Sequence, residues 1–177
     1  MDKWKKYYLD ICNAVANNSS CFSRKIGAII VMDKSIISTG YNGPPRGIPH
    51  CDERIIATND YDGKDPTLVR EFISKSKNYI SGTCPRRNLG YESGEGLHLC
   101  IAGHAERNAL INAARNGIAI KGATMYMNCP IPCKDCMIEI INAGISKIVV
   151  TEYTLYDEES WFLLHHSDIE VDTFEWE

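Results

Sequence analysis

The chain has 177 residues, a formal net charge of −4 and a hydrophobic fraction of 44%. This length suits one globular domain, and the composition excludes a disordered, collagen-like or coiled-coil chain. No apolar run approaches the roughly 20 residues of a membrane span, and the acidic balance argues against a nucleic-acid coating protein.

The N-terminal segment lacks the apolar core of a secretory signal, so we expect an intracellular, cytoplasmic protein. The eight cysteines should then stay reduced, and clustered cysteines in such a protein more often bind metal than form disulfides. Cys12 lies on the apolar side of a predicted helix and is expected to be an ordinary buried residue.

Elements of the first half follow from apolar spacing. Helical periodicity predicts a helix over residues 4–17. A hairpin follows, with strands from Ile26 to Met32 and from Ser35 to Tyr41 around a two-residue turn. Residues 48–103 are irregular apart from a helix predicted from Pro66 to Lys77. We interpret them as an insertion in a single domain spanning residues 1–177.

Regular structure returns in the second half. It is predicted to contain a helix at 104–115, a strand at 124–128, a helix at 133–143 and a strand at 145–150. The strand–helix–strand unit predicts a right-handed parallel crossover. Ile169 and Val171 indicate an edge strand. This order of elements predicts a three-layer α/β/α fold.

Two short motifs carry chemistry. A catalytic zinc ion takes three protein ligands and keeps one position open. Cys133 and Cys136 can bind it from one helical turn near a helix N-terminus, which favours the thiolate, and His104 supplies the third ligand. Glu106 is offset from the metal-binding face, so we expect it to move protons. The combination of His-x-Glu with Pro-Cys-x-x-Cys is typical of zinc nucleobase deaminases.

One alternative for this site is a closed structural zinc centre. Cys129 would then join the other three residues as a fourth ligand. Cys129 can equally pack beside the site without binding the metal.

Four strings point to one family: SRKIGA at 23–28, STGYNGPP at 38–45, HAERNA at 104–109 and PCKDC at 132–136. On these strings the chain resembles the deoxycytidylate (dCMP) deaminases of the zinc-dependent cytidine deaminase superfamily, from about Tyr8 to Tyr153. The stretch from Cys84 to Cys100 resembles the bacterial and phage branch.

The resemblance implies a five-stranded mixed sheet flanked by helices. It also implies hydrolysis of dCMP to dUMP and ammonia, which supplies dUMP for thymidylate synthesis. Members are usually hexamers, activated by dCTP and inhibited by dTTP. A phage-encoded member would work in the host cytoplasm.

The resemblance also assigns roles to single residues. His104, Cys133 and Cys136 would bind the catalytic zinc, Glu106 would shuttle protons, and Asn42 would contact the deoxyribose.

Each of the other candidate substrate contacts has an alternative interpretation. Arg24 and Lys25 are candidates for the substrate phosphate, with solvated charges before a strand as the alternative. Tyr153 matches an aromatic residue near the substrate, from the same or a neighbouring subunit, or is a generic surface tyrosine. Arg115 is another phosphate candidate, although a helix C-terminus favours any cation.

Four cysteines remain outside the catalytic site: Cys21, Cys51, Cys84 and Cys100. In some phage members the equivalents of the first two bind a second zinc. The positions of that site's other ligands hold Gly94 and Ala102, so the last two cysteines are the expected replacements in a closed site. His50 and His98 are competing ligands, and four unrelated thiols are the alternative.

A glycine-rich loop from Gly90 to Gly96 follows Arg86 and Arg87. Backbone amides in such loops favour anions, so the loop is a candidate site for a triphosphate effector. Its two glutamates would require Mg²⁺ to accompany the triphosphate, and a mobile loop without a ligand is the alternative.

Two other functions compete. A tRNA adenosine deaminase-like enzyme shares both motifs, but the long insertion, the STGYNGPP loop and a pI near 5.7 favour a small nucleotide. A non-catalytic zinc-binding protein is disfavoured because it would have no use for Glu106. We expect no nucleic-acid or membrane partner.

Overall fold

The computed structural model describes residues 3–53, 84–88, 90–92 and 94–174. The chain divides into two compact units. The first comprises 1–19, 24–43 and 103–177, and the second comprises 20–23 and 44–102. The second unit nearly coincides with the predicted insertion. The helix predicted from Pro66 to Lys77 lies outside the described residues.

The first unit begins its sheet with a hairpin. Strand β1, Gly27–Met32, pairs antiparallel with strand β2, Ser35–Tyr41. The turn residues Asp33 and Lys34 have φ angles of 50° and 65°. Positive φ at both positions is what a tight two-residue hairpin turn requires. The predicted hairpin is therefore confirmed.

Three further strands complete the sheet. They are β3 (Thr124–Met127), β4 (Lys147–Val150) and β5 (Glu170–Thr173), and the spatial order is β2-β1-β3-β4-β5. β1 and β3 pair antiparallel, whereas β3, β4 and β5 run parallel. The predicted five-stranded mixed sheet, its parallel unit and its C-terminal edge strand are thus confirmed.

Successive side chains of β1 point to opposite faces of the sheet, and both faces are buried. Helix α1, Lys3–Ala16, covers one face, where Tyr8 and Cys12 pack with Ile29 and Val31. Burial raises the pKa of Cys12 to about 12, as expected for an inert core thiol.

The opposite face carries the larger core. Ala28 and Ile30 of β1 belong to it, together with buried residues of helix α3, Ala105–Arg115, and helix α4, Lys134–Asn142. Helices therefore lie on both faces of the sheet, which is the predicted three-layer arrangement.

Helix α3 lies unusually close to β2. A Cβ atom at Gly40 would overlap the backbone of Ala105 and Ala109, so only glycine permits this approach. The side-chain amides of Asn108 and Asn112 donate to the carbonyls of Tyr41 and Thr39, at 2.7 Å each. These bonds fix α3 along the edge strand, and α3 carries two of the predicted site residues.

A helix near the C-terminus was not predicted. Helix α5, Glu158–His165, begins at the N-cap Asp157. Its neighbouring apolar residues Trp161 and Phe162 are exposed, whereas Leu163 and Leu164 pack against the core. Four consecutive apolar residues lack helical spacing, which is why periodicity did not reveal this helix. Of the helices described, none has the length and apolar character needed to span a bilayer.

The second unit is described in part. It contains a short helix α2, Pro85–Asn88, and a 3₁₀ helix, Leu97–Leu99. The buried Arg86 guanidinium donates to the carbonyls of Glu92 and Glu95. The arginine thereby links helix α2 to two backbone carbonyls of the glycine-rich loop.

Candidate metal centre and catalytic site

His104 is held at the start of α3 by backbone pairing. Gly43 and Gly103 exchange two hydrogen bonds, of 3.1 and 2.8 Å, immediately before the histidine. His104 is the N-cap residue of α3, and its ring forms no capping bond. The ring is therefore available to a neighbouring segment.

The neighbouring segment is the start of α4. Cys133 is the N-cap residue of that helix, and Cys136 lies in its first turn. Their sulfur atoms lie 3.4 and 3.3 Å from Nδ1 of His104. The three donor atoms all lie within 4.8 Å of one another, and no other such group occurs among the described residues.

This donor set fits zinc. Bonds of about 2.3 Å to sulfur and about 2.1 Å to nitrogen in a tetrahedral site separate those atoms by about 3.6 Å. The observed separations of 3.4 and 3.3 Å are close to that value. Two thiolates and one imidazole are also a preferred zinc donor set.

The hydrogen bonds within this group favour the metal-binding form of one donor, Cys133, and hold the proton more tightly on the other two. The hydrogen bond with the Cys136 thiol, together with that to His104, lowers the pKa of Cys133 to about 4. The same bond raises the pKa of Cys136, and the bond to Cys133 raises the pKa of His104. One sulfur is thus a thiolate at neutral pH, the form that binds zinc.

Glu106 lies in the first turn of α3, only 4% exposed. Burial raises the pKa of this carboxyl group. A carboxyl group whose pKa is raised toward neutrality is suited to accepting and returning protons. The offset from His104 predicted from the sequence agrees with this geometry, because Glu106 is outside the donor group.

Cys129 is not part of the donor group. Its side chain is buried in the main core, and burial raises its pKa well above the usual thiol value. Within the described chain, the cluster therefore offers three protein ligands, which is the number that leaves zinc an open position.

Asn42 is buried and bound to the loop before β1. Its Oδ1 accepts from the Ile26 amide at 2.8 Å, and its Nδ2 donates to the Arg24 carbonyl at 2.9 Å. An amide oxygen has a second lone pair and an amide nitrogen a second hydrogen. Asn42 therefore positions residues 24–26 and retains capacity for one further bond at each end.

The remaining substrate candidates lie at the surface. The side chains of Arg24 and Lys25 are exposed. Tyr153 is 59% exposed, with its hydroxyl 3.3 Å from the Val171 carbonyl. Arg115 lies in the last turn of α3, about 16 Å from His104 by the helix rise. The structure does not bring Arg115 together with the donor group.

The second predicted metal site is not assembled in the described residues. Cys21, Cys51, Cys84 and Cys100 are all described, yet no three of them meet the spacing of a metal group. In the glycine-rich loop, Arg86 bonds to loop carbonyls and Arg87 pairs with Glu92 at 3.1 Å. Both arginines that were proposed to bind an effector therefore form contacts within the loop instead.

Sequence reasoning missed Asp157 and Ser160, which bond to the residues on either side of Cys133. A signal was present: an aspartate followed by two glutamates is typical of a helix N-terminus. Nothing in that local pattern indicated which segment the helix would touch.

A family model described as "Cytidine and deoxycytidylate deaminase zinc-binding region" matches residues 2–152. The deoxycytidylate deaminase of Enterobacteria phage T2 is 36% identical over 169 residues, covering 92% of this chain and 88% of that protein. The deoxycytidylate deaminase of Saccharomyces cerevisiae is 32% identical over 171 residues, covering 97% of this chain. The chain spans 45% of that yeast protein and 39% of its relative in Schizosaccharomyces pombe, less than half of either.

A solved structure shares the fold. The dCMP deaminase of cyanophage S-TIM5, in complex with dCMP and dUMP, aligns with a TM-score of 0.66 and 22% identity, covering 98% of each chain. The overlap includes nearly every element described above.

Proposed function

The chain belongs to the family defined by the cytidine and deoxycytidylate deaminase zinc-binding region, and from this premise we propose that it hydrolyses dCMP to dUMP and ammonia. The single observation that carries the proposal is the group formed by His104, Cys133 and Cys136 with the buried Glu106 beside it. The relatives named deoxycytidylate deaminase support the choice of substrate.

His104, Cys133 and Cys136 are the proposed zinc ligands. Zinc held by three protein groups acts as a Lewis acid and lowers the pKa of water, so that water becomes a nucleophile at neutral pH. The chain supplies the donor atoms and the thiolate that this requires.

Glu106 is the proposed proton carrier. Hydrolysis adds the oxygen of water to C4 of cytosine and removes the amino group as ammonia. The Glu106 carboxylate takes a proton from the attacking water and delivers it to N3. It then transfers the second proton to the departing amino group. Burial supports this role because it raises the pKa of the carboxyl group.

The nucleotide contacts are proposed from the same family assignment. Asn42 would bind the deoxyribose through the hydrogen-bonding capacity left free by the 24–26 loop. Arg24 and Lys25, which belong to that loop and are exposed, would bind the phosphate. Tyr153 and Arg115 are the weaker candidates, Tyr153 as an exposed aromatic residue and Arg115 as a distant cation.

Regulation and assembly belong to the same proposal. We expect activation by dCTP and inhibition by dTTP, with Mg²⁺ accompanying the triphosphate, in a hexamer that supplies dUMP for thymidylate synthesis. Exposed aromatic residues on and before α5 offer surface for subunit contacts.

A second zinc on Cys21, Cys51, Cys84 and Cys100 would raise the measured zinc content to about two ions per chain.

Ultraviolet-monitored deamination tests the substrate. dCMP, dCTP and deoxycytidine are compared, each with and without dCTP or dTTP as effector and Mg²⁺. Selective turnover of dCMP that responds to these effectors supports both substrate and regulation. Zinc-loaded protein that deaminates none of them contradicts the proposal. Ammonia release from tRNA would then indicate the RNA enzyme, and no release at all a non-catalytic zinc protein.

A further inference from the structure

The segment that carries Cys133 is held by the N-terminal turn of α5. Asp157 uses both carboxylate oxygens: Oδ1 accepts from the Ser160 amide at 2.8 Å, and Oδ2 accepts from the Lys134 amide at 2.9 Å. The Ser160 hydroxyl donates to the Pro132 carbonyl at 2.8 Å. Ser160 is completely buried.

These bonds act on both sides of one residue. The carbonyl that precedes Cys133 and the amide that follows it each have a partner on the α5 turn. The position and direction of the Cys133 side chain depend on those two peptide planes. Neither bond involves the thiol, so the sulfur stays available to a metal.

The carboxylate also serves two helix ends at once. Helix N-termini leave backbone amides without intrahelical partners, and a nearby negative charge stabilises them. Asp157 satisfies one such amide of α5 and the first amide of α4. The family match ends at residue 152, before both Asp157 and Ser160.

We propose that Asp157 and Ser160 are positioning residues of the metal centre, which fix the peptide planes around Cys133 and slow the release of zinc. The inference rests on the proposed function, because it takes Cys133 to be a zinc ligand. Removing a group that orients a metal ligand typically weakens metal affinity by about 10-fold to 100-fold.

Ser160→Ala and Asp157→Asn are the test variants. The first removes the hydroxyl that bonds to Pro132. The second keeps one oxygen to cap α5 and removes the carboxylate oxygen facing Lys134. Ser167→Ala is the matched control, because the Ser167 hydroxyl also donates to a backbone carbonyl, that of Leu164 at 3.0 Å, at the far end of α5. Val171→Ala on β5 controls for general destabilisation, since Val171 packs against the same core.

The readout is the rate at which zinc-loaded protein releases zinc to a coloured chelator, at a temperature where circular dichroism shows every variant folded. We expect Ser160→Ala and Asp157→Asn to release zinc at least about tenfold faster than wild type. Ser167→Ala should release it at the wild-type rate. Val171→Ala should also release zinc at the wild-type rate, even when its Tm falls as far as the Tm of the two test variants.

Two outcomes overturn the inference alone: wild-type release rates in both test variants, or equal acceleration in Val171→Ala. A wild-type protein that binds no zinc overturns the proposed function and this inference with it. Zinc content of the wild type, measured first, therefore separates the two failures.

Discussion

Glu106 is the residue on which turnover should depend most directly. It is buried at the start of α3 and lies outside the donor group. Glu106→Gln keeps the size of the side chain but cannot accept a proton, so we expect at least about a 100-fold loss of dCMP turnover with unchanged zinc content. Rate assays with metal analysis measure both.

The control for this variant is Glu170→Gln, which makes the same change at an exposed ion pair with Lys147 on β4 and β5. It should keep wild-type turnover. Turnover near the wild-type rate in Glu106→Gln would show that another group carries the proton.

Cys129 decides whether the metal site is open or closed. It is buried in the main core but is absent from the donor group. Cys129→Ala should therefore leave the zinc-to-protein ratio at the wild-type value and cost about 1 kcal/mol of stability from the lost packing. Metal analysis and thermal unfolding test this expectation. Loss of one zinc ion from the variant would instead establish a four-ligand structural site.

At the level of elements, the contact between α3 and β2 fixes the helix whose N-cap residue is His104. Gly40→Ala would place a Cβ against the backbone of α3, which cannot move aside as a side chain can. We expect a loss of about 2 kcal/mol in the free energy of unfolding, and faster zinc release because His104 is the N-cap residue of that helix. Denaturant unfolding measures the first effect.

Gly43→Ala is the matched control. Among the residues that the structure describes, a Cβ there would meet only the Tyr41 ring, at 3.4 Å, an ordinary contact distance. Equal destabilisation by both substitutions would mean that the close approach of α3 is not what makes glycine necessary at position 40.

Elements with regular patterns were predictable, and contacts between distant segments were not. The hairpin and the β3–α4–β4 unit follow from β-branched runs, turn residues and the CxxC helix start, so their bounds agree within a few residues. Helix α5 was missed because its apolar residues are adjacent. The donor residues of the metal centre could be identified from the combination of the His-x-Glu and Pro-Cys-x-x-Cys motifs. The bonds of Asp157 and Ser160 could not, because they depend on how two separate helices meet.

Across the first unit, a charge network joins the first helix to the last strand. Asp172 accepts from Lys5 at 2.8 Å and pairs with Lys147 at 3.1 Å. Burial alone would raise the pKa of Asp172, but the bonds from these two lysines and from the Thr173 amide outweigh it and lower the pKa below the usual aspartate value. The network therefore stabilises the folded chain when Asp172 is ionised.

A carboxyl group with a lowered folded pKa contributes stability above its unfolded pKa, and that contribution is lost as the pH falls through the folded pKa. Asp172→Asn should cost about 1 kcal/mol at neutral pH. Below about pH 4 the difference from wild type should shrink.

Denaturant unfolding of the two proteins at neutral pH and in acid measures this difference, with the exposed Asp168→Asn as control. A deficit in Asp172→Asn that stays constant down to strong acid would exclude the charge as its cause.

The position of β1 in the sheet has a consequence for how the chain is made. β1 pairs with β2, which follows at once, and with β3, which begins only at Thr124. During synthesis the hairpin can form early, while the far edge of β1, with Ile29, Ile30 and Val31, waits for its partner. Unpaired apolar strand edges template association between chains. Nascent or partly unfolded chains should therefore aggregate through this edge, and closing the long loop to β3 should limit the rate of productive folding.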